Sequence, residues 1–457
     1  MGRFGLHSTR ILLDGELKEA TIEIQKGKIE AIKLGEFPEA DFPIENVGNS
    51  VIMPGLIDCH VHINEPGRAD WEGFDTATKA AAAGGITTLI EMPLNASPVT
   101  TSKKAFEDKL GATENKLHVN CGFWGGIVPE NIDELDELIE SGVFGIKAFL
   151  THSGIDEFPN VNEVDLRKAL PILKKHNVPL LVHAELDSPI VGQNLLDEFP
   201  TNYQAYLASR PKEWEDKAIK MMIDLCRDYD TPVHIVHLSS SNSVAELDNA
   251  KSSGIPITVE TCPHYLVFDA EDIPDGQTRY KCAPPIRERA NNEKLWAALQ
   301  NGLFSFIVSD HSPAIPEIKE LESGNLKKAW GGIAGLQFSF PAFWTEAKAR
   351  AISIAEVSNL MSYNVAKFLN LEKEKGKIAI GFDADLTIWN PEGTFEVMKD
   401  SIEFKHKITP YEGLQLCGEV EKTFVGGHKV FDKGLFCDLA KGQLLKRPHD
   451  RSVSEKA

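Results

Sequence analysis

The side chains best suited to chemistry fall at the ends of apolar runs. Asp58-Cys59-His60-Val61-His62 closes one of them, and residues two apart on a strand face the same side, so both imidazoles point together. Neutral imidazoles paired in this way are natural ligands for a borderline divalent metal, although a lone His-x-His fits packing equally well. Four more runs end comparably: Leu180-Leu181-Val182-His183, Val233-His234-Ile235-Val236-His237, Ile307-Val308-Ser309-Asp310-His311 and Phe144-Gly145-Ile146-Lys147-Ala148-Phe149. His60, His62, Lys147, His183, His237 and Asp310 at five run ends make a poor pattern for packing and a good one for a metal centre. His234, earlier in its run, reads as core.

Lys147 needs chemistry of its own, because an ammonium repels metal ions. Burial lowers a lysine pKa, and the neutral amine is a nucleophile. Reaction with CO₂ would turn it into a carbamate, an anion with two oxygens able to bridge two metals. The alternative is a lysine salt-bridged to one carboxylate.

Such groups must be positioned by a repeated unit. Buried-type strands begin near Val51, Ile86, Leu117, Gly145, Pro179, Pro232, Pro256 and Ser305. Helical patterns separate them: an Ala80-Ala81-Ala82-Ala83 run closed by Gly84-Gly85, a stretch from Glu130 to Ser141, and Asn162 to His176 with Asn162 as N-cap. Eight strands alternating with helices is the count of an α/β (β/α)₈ TIM barrel, whose chemistry sits at the carboxyl ends of the strands. The other candidate, an open doubly wound sheet, lacks the Gly-x-Gly-x-x-Gly turn that would bind a nucleotide there. P-loop, Gly-x-Ser-x-Gly and His-Glu-x-x-His patterns are also missing, which removes the best support for kinase-like, serine hydrolase and zincin chemistry.

Both chain ends read differently. Short alternating strands with Gly and Asp turns run from Gly5 to about Ser50 and return at Ala384–Trp389 and Lys422–Phe431. They predict a small β-sandwich domain formed from both chain ends, the alternative being two unrelated β decorations. The expected boundaries are 1–53 and 376–457 for that domain and 54–375 for the barrel.

Composition narrows the class. A 457-residue chain with 42% hydrophobic and 25% charged residues builds a sizeable core and is not disordered. Against 48 Lys and Arg stand 68 Asp and Glu, a net charge of −20, and no run of five basic residues offsets it. Nucleic acid and anionic membrane are therefore disfavoured as partners. Seven scattered cysteines, among them Cys282 and Cys437, form no C-x-x-C pair and fit a reducing compartment. With no signal layout at the start and no apolar run of about 18 residues, a cytoplasmic protein is expected.

The strand-end pattern resembles the amidohydrolase superfamily in its cyclic-amidase branch, whose sites carry His-x-His, a carboxylated Lys, two further His and an Asp around a binuclear centre. The matching positions are His60, His62, Lys147, His183, His237 and Asp310, and the split β domain matches as well. The resemblance implies two divalent ions, zinc first with Co²⁺, Mn²⁺ or Fe²⁺ as alternatives, bridged by carboxylated Lys147. It also implies a homo-oligomer, a tetramer in that family.

Within the branch, Ile63-Asn64-Glu65-Pro66-Gly67-Arg68 with Trp71-Glu72-Gly73-Phe74 is similar to the allantoinase family. So are Glu91–Asn95, Ser153–Pro159, Lys281–Arg287 and Trp330–Gln337. The implied reaction is hydrolysis of the hydantoin ring of allantoin to allantoate in purine and ureide catabolism. Asp310 would take a proton from the attacking water and pass it to the leaving nitrogen. A dihydroorotase would carry Arg where this chain has Asn64, and a dihydropyrimidinase Tyr where it has His152. Asn95, Cys282, Ser312 and Gly331 are candidates to grip the ureide edges, each equally readable as turn structure. Arg68, Glu65 and Trp71 would order a loop over the site. A broader hydantoinase or dihydropyrimidinase is the alternative enzyme, and a dihydropyrimidinase-like structural protein without metal the non-catalytic one.

Overall fold

Apolar runs too short for helices become parallel strands buried on both faces. They are Leu56–Val61, Ile86–Glu91, Asn120–Phe123 continued at Gly125–Gly126, Ile146–Phe149, Leu180–His183, Val233–Ile235, Ile257–Thr261 and Phe306–Ile307. This computed structural model describes residues 2–35, 40–189, 194–436 and 441–448. Each strand pairs in parallel with the next, and the third is shared, its first half on the second strand and its glycines on the fourth. The ring closes where the His62 amide donates to the His311 carbonyl at 2.7 Å and Val61 bridges His311. The fold is a TIM barrel.

Helices return the chain between strands. Phe74–Ala83 buries its alanines and ends at Gly84-Gly85. Gly85 has φ +80°, and a Cβ there would meet Thr387 at 2.6 Å, so this turn into the second strand has room only for glycine. Glu163–His176 starts from Asn162, whose side chain accepts from the Val164 and Asp165 amides while Asp165 accepts from the Asn162 amide. The stretch expected as one helix from Glu130 is a 3₁₀ turn at Ile132–Glu134 followed by a helix at Leu135–Glu140.

The two chain ends meet in one nine-stranded sheet, in which Val51–Pro54 lies between Phe4–Leu13 and Leu386–Glu396. The sheet encloses its own core of Leu6, Ile22, Ile52, Leu386, Ile388 and Phe424. Val51, read from sequence as the start of the first barrel strand, therefore belongs to this domain; Gly55 separates it from the barrel strand that begins at Leu56. Both runs are apolar and buried, so periodicity alone could not divide them. Residues 441–447 leave the sheet and lie along the third barrel strand, with Cys121 N–H donating to Gln443 O at 2.9 Å and Leu445 N–H to Cys121 O at 2.8 Å. Six cysteines are free thiols, and Cys437 lies outside the described residues. No helix among the described residues is long and apolar enough to cross a membrane.

Candidate metal centre

At the carboxyl ends of the strands, groups far apart in sequence come together. His60 Nε2 lies 3.1 Å from Asp310 Oδ1 and His62 Nε2 3.5 Å from the same oxygen. His183 Nδ1 and His237 Nε2 are 3.0 Å apart, and the His60 and His237 rings are 5.4 Å apart between centroids. One ligand atom from each of His60, His237 and Asp310 falls within 4.8 Å of the others. Lys147 sits at the floor, fully buried and 5.0 Å from the Phe149 ring, and its Nζ has no hydrogen-bond partner among the described residues. The salt bridge considered as its alternative is not formed with any described residue.

The strand ends are turned sharply. Asn64, Asn95, His237 and Asp310 all have left-handed backbones, with φ of 67°, 71°, 38° and 46°. Non-glycine residues in such conformations cost about 1–3 kcal/mol each, and the cost is borne where side-chain direction matters.

Two carboxylates that the sequence reading missed orient the imidazoles. Glu260, buried in the seventh strand, accepts from His60 Nδ1 at 2.5 Å, His234 Nε2 at 2.9 Å and the His237 amide at 3.2 Å. Glu185 accepts from His183 Nε2 at 2.8 Å and from Arg210. With His60 Nδ1 committed to Glu260 and His183 Nε2 to Glu185, His60 Nε2 and His183 Nδ1 are the ring atoms turned to the shared space. The signals were an acid inside the apolar strand Ile257–Thr261 and an acid two residues beyond His183.

Electrostatics favour bound cations. Burial pushes the Asp310 carboxyl up, but His60, His62 and His237 outweigh it and hold it well below the usual carboxylate range. Burial likewise opposes ionisation of Glu260, yet His60 and His234 keep it at about 2. Burial, reinforced by His60 and Lys147, brings His62 down to about 4, and burial against the pull of Glu260 and Asp310 brings Lys147 down to about 8. A neutral His62 and a neutral amine are therefore within reach near pH 7–8. His60 goes the other way: burial is outweighed by Asp310 and Glu260, and the ring is raised to about 9. Imidazoles of His62, His183 and His237 that burial keeps neutral, a His60 whose bound proton a cation would displace, an ionised carboxylate and a partnerless buried amine make a donor set that fits divalent metal.

Above these groups lies a cavity of about 470 Å³. Asn95, Ser312 and Gly331 line it, and the Asn95 Oδ1 atom has no partner among the described residues. Cys282 does not line it: its side chain is buried behind the wall and its carbonyl accepts from the Tyr206 hydroxyl at 2.6 Å, while neighbours Lys281 and Ala283 face the cavity. His152 stands on the rim, 3.4 Å from Asp156. Arg68 donates to Asn95 O at 3.0 Å and to Glu157 at 2.5 Å, and Trp71 packs edge-on against Trp330 at 4.9 Å, so four loops form one wall. Glu65 caps the next helix by accepting from the Phe74 amide at 2.9 Å. Lys319, also missed, is buried under the wall and donates to the Lys281, Trp330 and Gly332 carbonyls. Gly332 passes so close to Ser312 that a Cβ would meet its carbonyl at 2.5 Å.

Residues 51–430 match the amidohydrolase family. The chain belongs to the amidohydrolase family. Among amidohydrolases it stands with the allantoinases: it is 42% identical to an allantoinase of Arabidopsis thaliana over 96% of this chain and 90% of that one. With an allantoinase of Streptomyces avermitilis it shares 41% identity, covering 97% and 98%. An L-hydantoinase (dihydropyrimidinase) from Arthrobacter aurescens superposes with a TM-score of 0.91 at 29% identity, over 98% of this chain and all of that one. Like the amidohydrolases it matches, this chain is an enzyme, a cyclic amidohydrolase.

Proposed function

We propose that this protein hydrolyses the hydantoin ring of allantoin to allantoate, a step of purine catabolism, using a divalent metal centre. One observation carries the reading: His60, His62, His183, His237 and Asp310 converge over a buried Lys147 amine that has no partner. These six residues would hold two ions, zinc first, with Lys147 as a bridging carbamate. When bound, the ions lower the pKa of water and polarise the amide carbonyl.

The chain's own groups supply the rest. Asp310, ionised and held against His60 and His62, takes the proton from the attacking water and delivers it to the ring nitrogen as the C–N bond breaks. The carbonyl carbon becomes the new carboxylate, and the leaving nitrogen ends as a neutral amide. Asn95 with its free Oδ1, Ser312 and the Gly331 backbone are placed to accept and donate along the ureide edge. Asn64 stands where a dihydroorotase would carry the Arg that holds a substrate carboxylate, which favours an uncharged ureide. Loading the protein with metal and assaying ring opening on allantoin, hydantoin, dihydrouracil and dihydroorotate side by side tests the reading. Allantoin is expected to turn over fastest; no opening of allantoin overturns it. By family resemblance we also place the protein in a homo-oligomer, a tetramer, and by its scattered free cysteines in the cytoplasm.

A further inference from the structure

Asp310 closes a second group of potential ligands. Cys262 ends the seventh strand region and His264 follows it two residues on, and one ligand atom from each falls within 4.8 Å of the others and of an Asp310 carboxylate oxygen. Cys262 is fully buried and His264 is 1% exposed. Neither ring nitrogen of His264 has a hydrogen-bond partner among the described residues. A buried imidazole with both nitrogens unmet is costly, and something polar or cationic normally faces it. Its ring packs edge-on against Tyr265 at 4.2 Å, which fixes its position without satisfying either nitrogen. None of the proposed chemistry uses Cys262 or His264.

We propose that Cys262, His264 and Asp310 form a third, inhibitory cation site for a thiophilic divalent metal such as cadmium or zinc in excess. Thiolate, imidazole and carboxylate are the donor types such ions prefer, at roughly 2.0–2.3 Å from the metal, which places donors roughly 3.5 Å apart, so the present group, within 4.8 Å, would draw in by up to about 1.3 Å. On binding, the Cys262 thiol gives its proton to solvent and the thiolate joins the ion; nothing is oxidised or reduced. The carboxylate that completes this site is the one held against His60 and His62. An ion here therefore draws Asp310 away from proton transfer, and excess metal becomes a brake. The inference relies on the hydrolase reading only for its turnover readout.

The test starts from the holoenzyme, its resident ions counted by elemental analysis, and titrates Cd²⁺ while following the metal count, the ultraviolet cadmium–thiolate band and allantoin turnover. One extra ion per chain, a growing thiolate band and a parallel fall in turnover of about tenfold or more are expected. Cys262→Ser should remove the band and raise the half-inhibiting Cd²⁺ concentration at least about tenfold; His264→Gln should raise it similarly, each compared with its own cadmium-free rate. Should the serine variant not fold, His264→Gln decides alone. An unchanged band and unchanged inhibition in Cys262→Ser, an unchanged half-inhibiting concentration in His264→Gln, or cadmium that only exchanges with resident ions without raising the count overturns the site. A protein that carries no resident ions or leaves allantoin intact fails the hydrolase reading instead, and the band and count still report on Cys262.

Discussion

Glu260 and His60 come from the seventh and first barrel strands, and Glu260 Oε1 lies 2.5 Å from His60 Nδ1. The other Glu260 oxygen takes His234 Nε2 at 2.9 Å, so one carboxylate fixes the tautomer of a proposed ligand and ties it to a core histidine. Carboxylates that orient ligating histidines typically contribute 10–100-fold in metal affinity. Glu260→Gln should weaken metal binding by about that factor in a chelator competition, with the fold retained by circular dichroism; equal affinity would reject the orienting role.

Asp310→Asn preserves shape and loses the ability to carry a proton. It should keep its metal by elemental analysis and lose about 10²-fold or more in kcat. Unchanged turnover would remove Asp310 from proton transfer.

Chelation followed by dialysis should abolish ring opening, and divalent metal with bicarbonate should restore it. In the metal-free protein burial brings Lys147 down to about 8, and only the neutral amine attacks CO₂. At a fixed concentration of dissolved CO₂ the neutral fraction sets the rate, so reactivation should accelerate through about pH 8 and level off above it. Full activity without metal, or reactivation that slows as pH rises through this window, would contradict the scheme. Mass spectrometry of the native holoprotein should find one carboxyl group added at Lys147.

Lys109 and Glu91 form an ion pair with both side chains fully buried, at the end of the second barrel strand. Removing one partner strands a charge. Lys109→Met should cost about 3–5 kcal/mol in urea unfolding, and adding Glu91→Leu should recover most of that loss. A single variant as stable as the parent would show that the pair is not needed.

The convergence of His60, His183, His237 and Asp310 was legible because the barrel places strand ends together, so each could be read one run at a time. The groups that aim them were not. Glu260 and Glu185 act through partners 200 and two residues away, and a lone acid in the sequence does not say which imidazole it meets. Lys319 was invisible for the same reason, since its three acceptors are backbone carbonyls on two other segments. The strand beginning near Val51 was counted with the barrel strands although the boundary at residue 53 left it in the β domain, because buried strands of sheet and barrel look alike. At Cys282 it is the neighbours that face the cavity while the cysteine side chain turns inward.

The strip at residues 441–447 completes hydrogen bonding along Asn120 and Cys121, and Gly442 is pressed so near Val119 that a methyl group would not fit. During translation that strip leaves the ribosome long after the rest of the barrel. A nascent chain thus waits with one edge of its third strand bare, and a fusion partner or protease that disturbs this strip would strike the hydrolase at the last stitch of its assembly.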